Sequence, residues 1–232
     1  MIIWAASYPR AGNTLFRLLM NRIYGIPTYD FYNGRGLISQ LVNGIPMEDI
    51  SSHQNDIEPY FTKTHELPGE DSYPAIYIVR DGRDTLVSYA HFTIEIHNQN
   101  ECNKTNDFYQ TLCNLIRSTD AFGGWSQHVL SWISRKSCTA IVKYEDMMQD
   151  PLSTIQGCLD QLGVTLDPQP DFAIPMFDKL HQYFPDFFRK GKIGSWKSEM
   201  PDDLHHLFWE YHAQAMEKIG YTYSEKNGAS NT

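Results

Sequence analysis

Ile2-Ile3-Trp4-Ala5-Ala6, then Ser7-Tyr8-Pro9-Arg10-Ala11-Gly12-Asn13-Thr14, then Leu15, Leu18, Leu19 and Ile23 at helical spacing, read as a strand, a tight loop and a helix N-terminus. Such a loop directs unpaired backbone N–H groups and the positive end of the helix dipole at one point, which favours a phosphate or sulfate. Arg10 and the Thr14 hydroxyl complete the nest. The usual Gly-Lys-Ser/Thr ending of a triphosphate loop stands here as Gly12-Asn13-Thr14, without the lysine that reaches the terminal phosphates. With the cation moved to Arg10, the loop suits a nucleotide whose 5′ group is shorter than a triphosphate. No carboxylate follows a strand in the manner of a magnesium ligand, and Asp81 and Asp84 flank arginines that they orient.

Working outward, apolar runs predict buried strands at Ile2 to Ala6, Tyr60 to Thr64, Ala75 to Val79 and Thr139 to Tyr144. Helices are predicted over Thr14 to Tyr24, Asp84 to Ile96, Asp107 to Arg135 with a break at Gly123-Gly124, Pro151 to Leu162, and Asp202 to Ile219. Strands alternating with helices specify an α/β fold with a central parallel sheet flanked by helices, whose ligands sit at the carboxyl ends of the strands. One domain over residues 1–223 is expected, with 224–232 a disordered tail and 25–58 an irregular insertion rich in Gly, Pro and Asn.

The 232 residues carry a formal net charge of -9, which argues against a nucleic-acid partner. The 19 Lys and Arg are not scattered: Arg10, Lys63, Arg80, Arg83, Arg189, Lys190, Lys192 and Lys197 lie in or beside a few short segments, so positive charge is local and suits a small anionic ligand. Cys102, Cys113, Cys138 and Cys158 show no metal-ligand or disulfide spacing. No apolar run is long enough to span a bilayer, and Met1 to Ala6 lacks a basic leader, so a cytoplasmic protein is expected.

Two further basic segments join the loop: Tyr77-Ile78-Val79-Arg80-Asp81-Gly82-Arg83-Asp84, and Arg189-Lys190-Gly191-Lys192-Ile193-Gly194-Ser195-Trp196-Lys197. With Lys63-Thr64-His65-Glu66-Leu67-Pro68 and Lys143-Tyr144-Glu145-Asp146-Met147, these segments resemble, in order, the motifs of sulfotransferases that use 3′-phosphoadenosine 5′-phosphosulfate (PAPS). A last helix ending in Ile219-Gly220-Tyr221 is similar to the closing element of that family, so the resemblance spans nearly the whole chain.

The resemblance implies a role for each matched residue. Arg10, Ala11, Gly12, Asn13 and Thr14 would hold the 5′ phosphosulfate; Arg80, Ser88, Arg189, Lys190 and Gly191 the 3′-phosphate; Tyr144 the adenine. Arg10 and Lys63 would stabilise charge on the oxygen bridging sulfur and phosphorus. His65, with a pKa near neutrality, would take the acceptor's proton. No metal is required, because cations and backbone N–H groups do the charge work. His128 is assigned to helix packing.

The chain departs from many small-molecule sulfotransferases in carrying Arg10 in place of lysine and Leu15 in place of an adenine-stacking tryptophan. The dimerisation segment of animal members is not recognisable after Trp196, which leaves the oligomeric state open. The acceptor is a small molecule, open among phenols, alcohols, amines, sugars and peptidic hydroxyls. Its expected walls are 25–58 and 92–120, with Tyr29, Phe31, Tyr32, Phe92 and Phe108. Rival readings are a phosphate-loop kinase, disfavoured by the lost lysine and magnesium carboxylate, and a non-catalytic binder of 3′-phosphoadenosine nucleotides, disfavoured by Lys63 and His65.

Overall fold

A computed structural model describes residues 1–31, 37–47, 58–100, 107–117, 120–174, 181–182 and 191–224. In chain order the elements are β1 (Ile2–Ser7), α1 (Asn13–Tyr24), β2 (Thr28–Asp30), α2 (Leu37–Leu41), β3 (Gly44–Pro46), β4 (Tyr60–Thr64), β5 (Ala75–Val79), α3 (Gly82–Asn100), α4 (Phe108–Arg117), α5 (Trp125–Ile133), β6 (Thr139–Lys143), α6 (Tyr144–Gln149), α7 (Pro151–Gln161), α8 (Trp196–Glu199) and α9 (Asp202–Lys218). The six strands form one sheet in the order β3-β2-β4-β1-β5-β6. Every pairing is parallel.

Both faces of the sheet are covered, and the pleat explains why its strands read as continuous apolar runs. Successive side chains point to opposite faces. Ile76 and Ile78 of β5 therefore join Ile3, Ala5, Phe16, Leu19, Ile155 and Leu159 beneath α1 and α7. Ala75, Tyr77 and Val79 of the same strand pack with Leu86, Trp125, Trp132 and Phe208 from α3, α5 and α9. At the edge, β6 alternates instead, and Ile141 is exposed.

The predicted strands stand where expected, except that β1 gains Ser7 and the last strand ends at Lys143. The segment 25–58 is not wholly irregular. β2 pairs with β4 on one side and with β3 on the other, through three-residue strands too short to leave a periodic signal. The helical stretch expected over Asp107 to Arg135 is divided, as its Gly123-Gly124 break predicts, into α4 and α5. The chain turns between them at Gly123 and Gly124, whose φ angles are 86° and 75°. No helix among the described residues is long and apolar enough to cross a membrane.

Candidate active site

β1 lies between β4 and β5, so the residues following these three neighbours open on one edge of the sheet. After β1 the chain turns tightly, with the Ala11 N–H donating to the Tyr8 carbonyl at 3.2 Å. Arg10 adopts φ 67° and Gly12 φ 112°, left-handed geometry that turns successive N–H groups into one concavity. A Cβ on Gly12 would lie 2.7 Å from Tyr144 Cδ2, so only glycine lets the loop approach that ring. No side chain among the described residues caps α1, which leaves its first N–H groups to a ligand.

The Asn13 side chain turns back toward β1. Its Nδ2 donates to the Ala5 carbonyl at 2.8 Å, which ties the loop back to β1 and leaves the backbone N–H as its contribution to the concavity. The Arg10 guanidinium crosses to α3: Nε donates to Ser88 Oγ at 3.2 Å, and the group lies 4.9 Å from the centre of the Phe92 ring. Ser88 therefore joins the loop to the helix that follows Arg80.

Arg80 and the glycine-bracketed turn lie on the same side of the molecule. An Arg80 terminal nitrogen donates to the Lys192 carbonyl at 3.2 Å. Asp84 fastens that turn, accepting from Gly194 N–H at 2.7 Å, Trp196 N–H at 2.9 Å and Ser195 Oγ at 3.2 Å, with Arg80 at 3.7 Å. The Arg80 guanidinium covers the Tyr144 ring at 4.4 Å, a cation–π pair at the ends of β5 and β6. Arg83 is spoken for: its Nε and Nη2 grip Asp81 at 2.9 and 2.7 Å, and its guanidinium stacks 3.9 Å from the Trp196 ring. Arg189 and Lys190 lie outside the described residues; Gly191 is described, with φ 56°.

At the end of β4, His65 Nδ1 sits 2.8 Å from the carbonyl of Ser7, the residue that opens the loop. A carbonyl can only accept, so Nδ1 carries the proton and Nε2 the lone pair. Burial and the nearby Lys63 charge push His65 down to about 3, not to the neutral value expected from the sequence. It is therefore an unprotonated imidazole throughout the neutral range. Lys63 is lowered to about 8, by burial and by the buried Arg17, while Asp30 opposes the shift.

His128 does more than pack a helix. Tyr77 O–H donates to His128 Nδ1 at 2.8 Å, and His128 Nε2 donates to the His65 carbonyl at 3.0 Å. One turn on, Trp132 Nε1 donates to the Glu66 carbonyl at 3.0 Å. The backbone after β4 is thus held by two donors on one face of α5. The sequence signals for this are the run Trp125-Ser126-Gln127-His128, which resembles a feature of the family, and the i, i+4 spacing of His128 and Trp132. Asp120 accepts from Tyr8 O–H and from Phe122 N–H, and the Phe122 ring stands edge-on to His65 at 5.9 Å. Of the expected acceptor-wall aromatics, Phe92 stands against Arg10, while the ring that meets His65, Phe122, lies two residues beyond the expected 92–120 segment. Tyr29 packs on Tyr60, Phe31 is exposed, Phe108 stacks on His91, and Tyr32 lies outside the described residues.

Holding three imidazoles neutral, two buried and His65 half-buried, has a consequence for acid stability. His65 is lowered to about 3, and His128 and His212 each to about 4, all by burial, against an ordinary 6.5. Below pH 6.5 the unfolded chain takes up protons that the folded chain refuses, so stability is complete above that pH and falls as pH drops toward 4. Each such proton is worth about 1.4 kcal/mol per pH unit, giving a slope of about 4 kcal/mol per unit near pH 5. Urea denaturation between pH 7 and 5 measures it, and His212→Asn should remove about a third of the slope.

The chain matches the sulfotransferase domain over residues 2–220 and belongs to that family, whose reaction is sulfuryl transfer. It is 24% identical to flavonol 3-sulfotransferase of Flaveria bidentis, over 98% of this chain and 82% of the relative. Its fold is that of mouse sulfotransferase SULT7A1 complexed with PAP (3′-phosphoadenosine 5′-phosphate), at TM-score 0.63 and 19% identity over 93% of this chain and 84% of that one. It is also that of retinol dehydratase in complex with retinol and PAP, at TM-score 0.63 and 19% identity over 96% and 83% of the two chains.

Proposed function

We propose that this protein moves the sulfuryl group of PAPS to a hydroxyl or amine of a small-molecule acceptor, with His65 as general base. The observation that carries the reading is the 2.8 Å contact of His65 Nδ1 with the carbonyl of Ser7, which anchors the imidazole to the residue that opens the anion-binding loop and leaves the lone pair on Nε2. The donor residues suit a nucleotide bearing anions at both ends of its ribose. Among them, Arg80 Nε is a buried N–H with no partner among the described residues, a donor that an anion would satisfy. Mouse SULT7A1 and retinol dehydratase, which share the fold, are complexed with PAP, a nucleotide of that kind.

When bound, PAPS supplies an activated sulfuryl group on a nucleotide leaving group. The loop from Arg10 to Thr14 holds its 5′ end through the N–H groups that its own turn, closed by Ala11 N–H on the Tyr8 carbonyl, leaves to a ligand, and Arg80, Ser88, Arg189, Lys190 and Gly191 hold the 3′-phosphate. Tyr144, already stacked under Arg80, meets the adenine. Arg10 and Lys63 offset the charge that builds on the leaving oxygen. Because the attacked acceptor becomes a far stronger acid than imidazolium, the depressed His65 remains basic enough to take its proton.

The test compares thermal stabilisation by PAP with that by ATP and magnesium, then assays PAPS with a panel of phenols, alcohols and amines for a mass gain of one sulfuryl group. PAP should raise the melting temperature and ATP should not. Stabilisation by ATP alone, or PAP binding with no transfer to any acceptor, would replace the reading with a kinase or a binder.

A further inference from the structure

The last turn of α9 ends in a Schellman motif. Gly220 at φ 78° donates to the Glu217 carbonyl at 3.0 Å, and Tyr221 N–H returns to the Met216 carbonyl at 2.9 Å. The motif reverses the chain and throws the Tyr221 side chain back toward the sheet. There its O–H donates to Glu145 Oε2 at 2.6 Å, while Lys143 Nζ sits 4.7 Å from the ring centre. The other oxygen of the same carboxylate, Oε1, accepts the Asp81 N–H at 3.1 Å. Glu145 follows Tyr144 in sequence and Asp81 follows Arg80, so one carboxylate bridges the two strand ends that carry the Arg80–Tyr144 pair.

We propose that Tyr221 is a positioning residue for the donor's 3′-phosphate: through Glu145 it fixes the Asp81 peptide, and with it the Arg80 guanidinium. This rests on the donor site proposed above. Burial and the Glu145 charge hold the Tyr221 phenol well above its ordinary range, so it stays a donor at every working pH. Glu145 has two donors to accept from, and an ionised carboxylate serves both at once. A second tie acts on the same corner: Ser224 Oγ accepts from Arg83 at 3.2 Å, and Arg83 holds the Asp81 carboxylate. Tyr221 and Ser224 thus hold the residue after Arg80 from two directions.

The experiment is calorimetric titration of the full chain with PAP and with adenosine 5′-phosphate, which differs only in lacking the 3′-phosphate. Tyr221→Phe removes one hydroxyl and keeps the ring. It should weaken PAP by roughly tenfold, the scale of one hydrogen bond to a charged group, and adenosine 5′-phosphate by less than about twofold, so that the preference for PAP shrinks. Glu145→Gln, which keeps one acceptor oxygen, should shrink the preference in the same direction and serves if Tyr221→Phe does not fold. An unchanged PAP preference in the variants, or equal losses on both ligands, would overturn the clasp. A wild-type chain that does not bind PAP would instead overturn the donor site itself.

Discussion

Replacing His65 with asparagine should lower kcat by about 10²- to 10⁴-fold, the usual worth of a positioned base, while PAP affinity changes less than about twofold. Asparagine is the informative choice because its amide keeps a donor for the Ser7 carbonyl, now 2.8 Å from His65 Nδ1, and loses only the lone-pair nitrogen. Loop geometry is therefore preserved and basicity removed. Steady-state sulfuryl transfer, with PAP titrated separately, separates the two. A His65→Asn enzyme turning over at the wild-type rate would move the base elsewhere. His128 would not replace it, since both of its nitrogens are engaged, by Tyr77 and by the His65 carbonyl.

Arg80→Met should raise the Kd of PAP by about 10- to 150-fold, corresponding to the roughly 1.5–3 kcal/mol of a hydrogen bond between charged groups. Adenosine 5′-phosphate should be nearly unaffected. The guanidinium lies over Tyr144 at 4.4 Å and bonds the Lys192 carbonyl at 3.2 Å, so it is fixed before any ligand arrives and little ordering cost falls on binding. The turn loses the Arg80 contacts with Asp84 and the Lys192 carbonyl but keeps the three bonds that Asp84 accepts from Gly194, Ser195 and Trp196. Arg80→Lys tests the planar group: a lysine keeps the charge but neither stacks as well nor spans both contacts, and should recover only part of the affinity. Equal losses for both nucleotides would mean that residue 80 supports the fold and not the 3′-phosphate.

Arg80, Tyr144 and the turn after Gly191 were found as motifs, and the structure gives their contacts. Glu145 and Tyr221 stand within motifs, yet the motifs attach no role to either, because the Asp81–Glu145 and Glu145–Tyr221 links span 64 and 76 residues of sequence. His128 was read as packing for a similar reason: its partners Tyr77 and His65 are 51 and 63 residues away. The short strands β2 and β3 escaped because their pairing partners, and not their own three residues, hold them straight.

What the chain determined alone is the strand–loop–helix at its start, the buried strands and the order of the basic segments. These are local matters: a left-handed glycine, an uncapped helix end and runs of residues that pack on a pleated face carry their causes within a few positions. What only the tertiary structure decided is the electrostatic state of the site. His65 is lowered to about 3 and Lys63 to about 8 by the burial and charges around them, and the proton of His65 stays on Nδ1 because a carbonyl from another strand faces it. Desolvation and partner charge depend on what surrounds a side chain in three dimensions, and distant segments supply those surroundings.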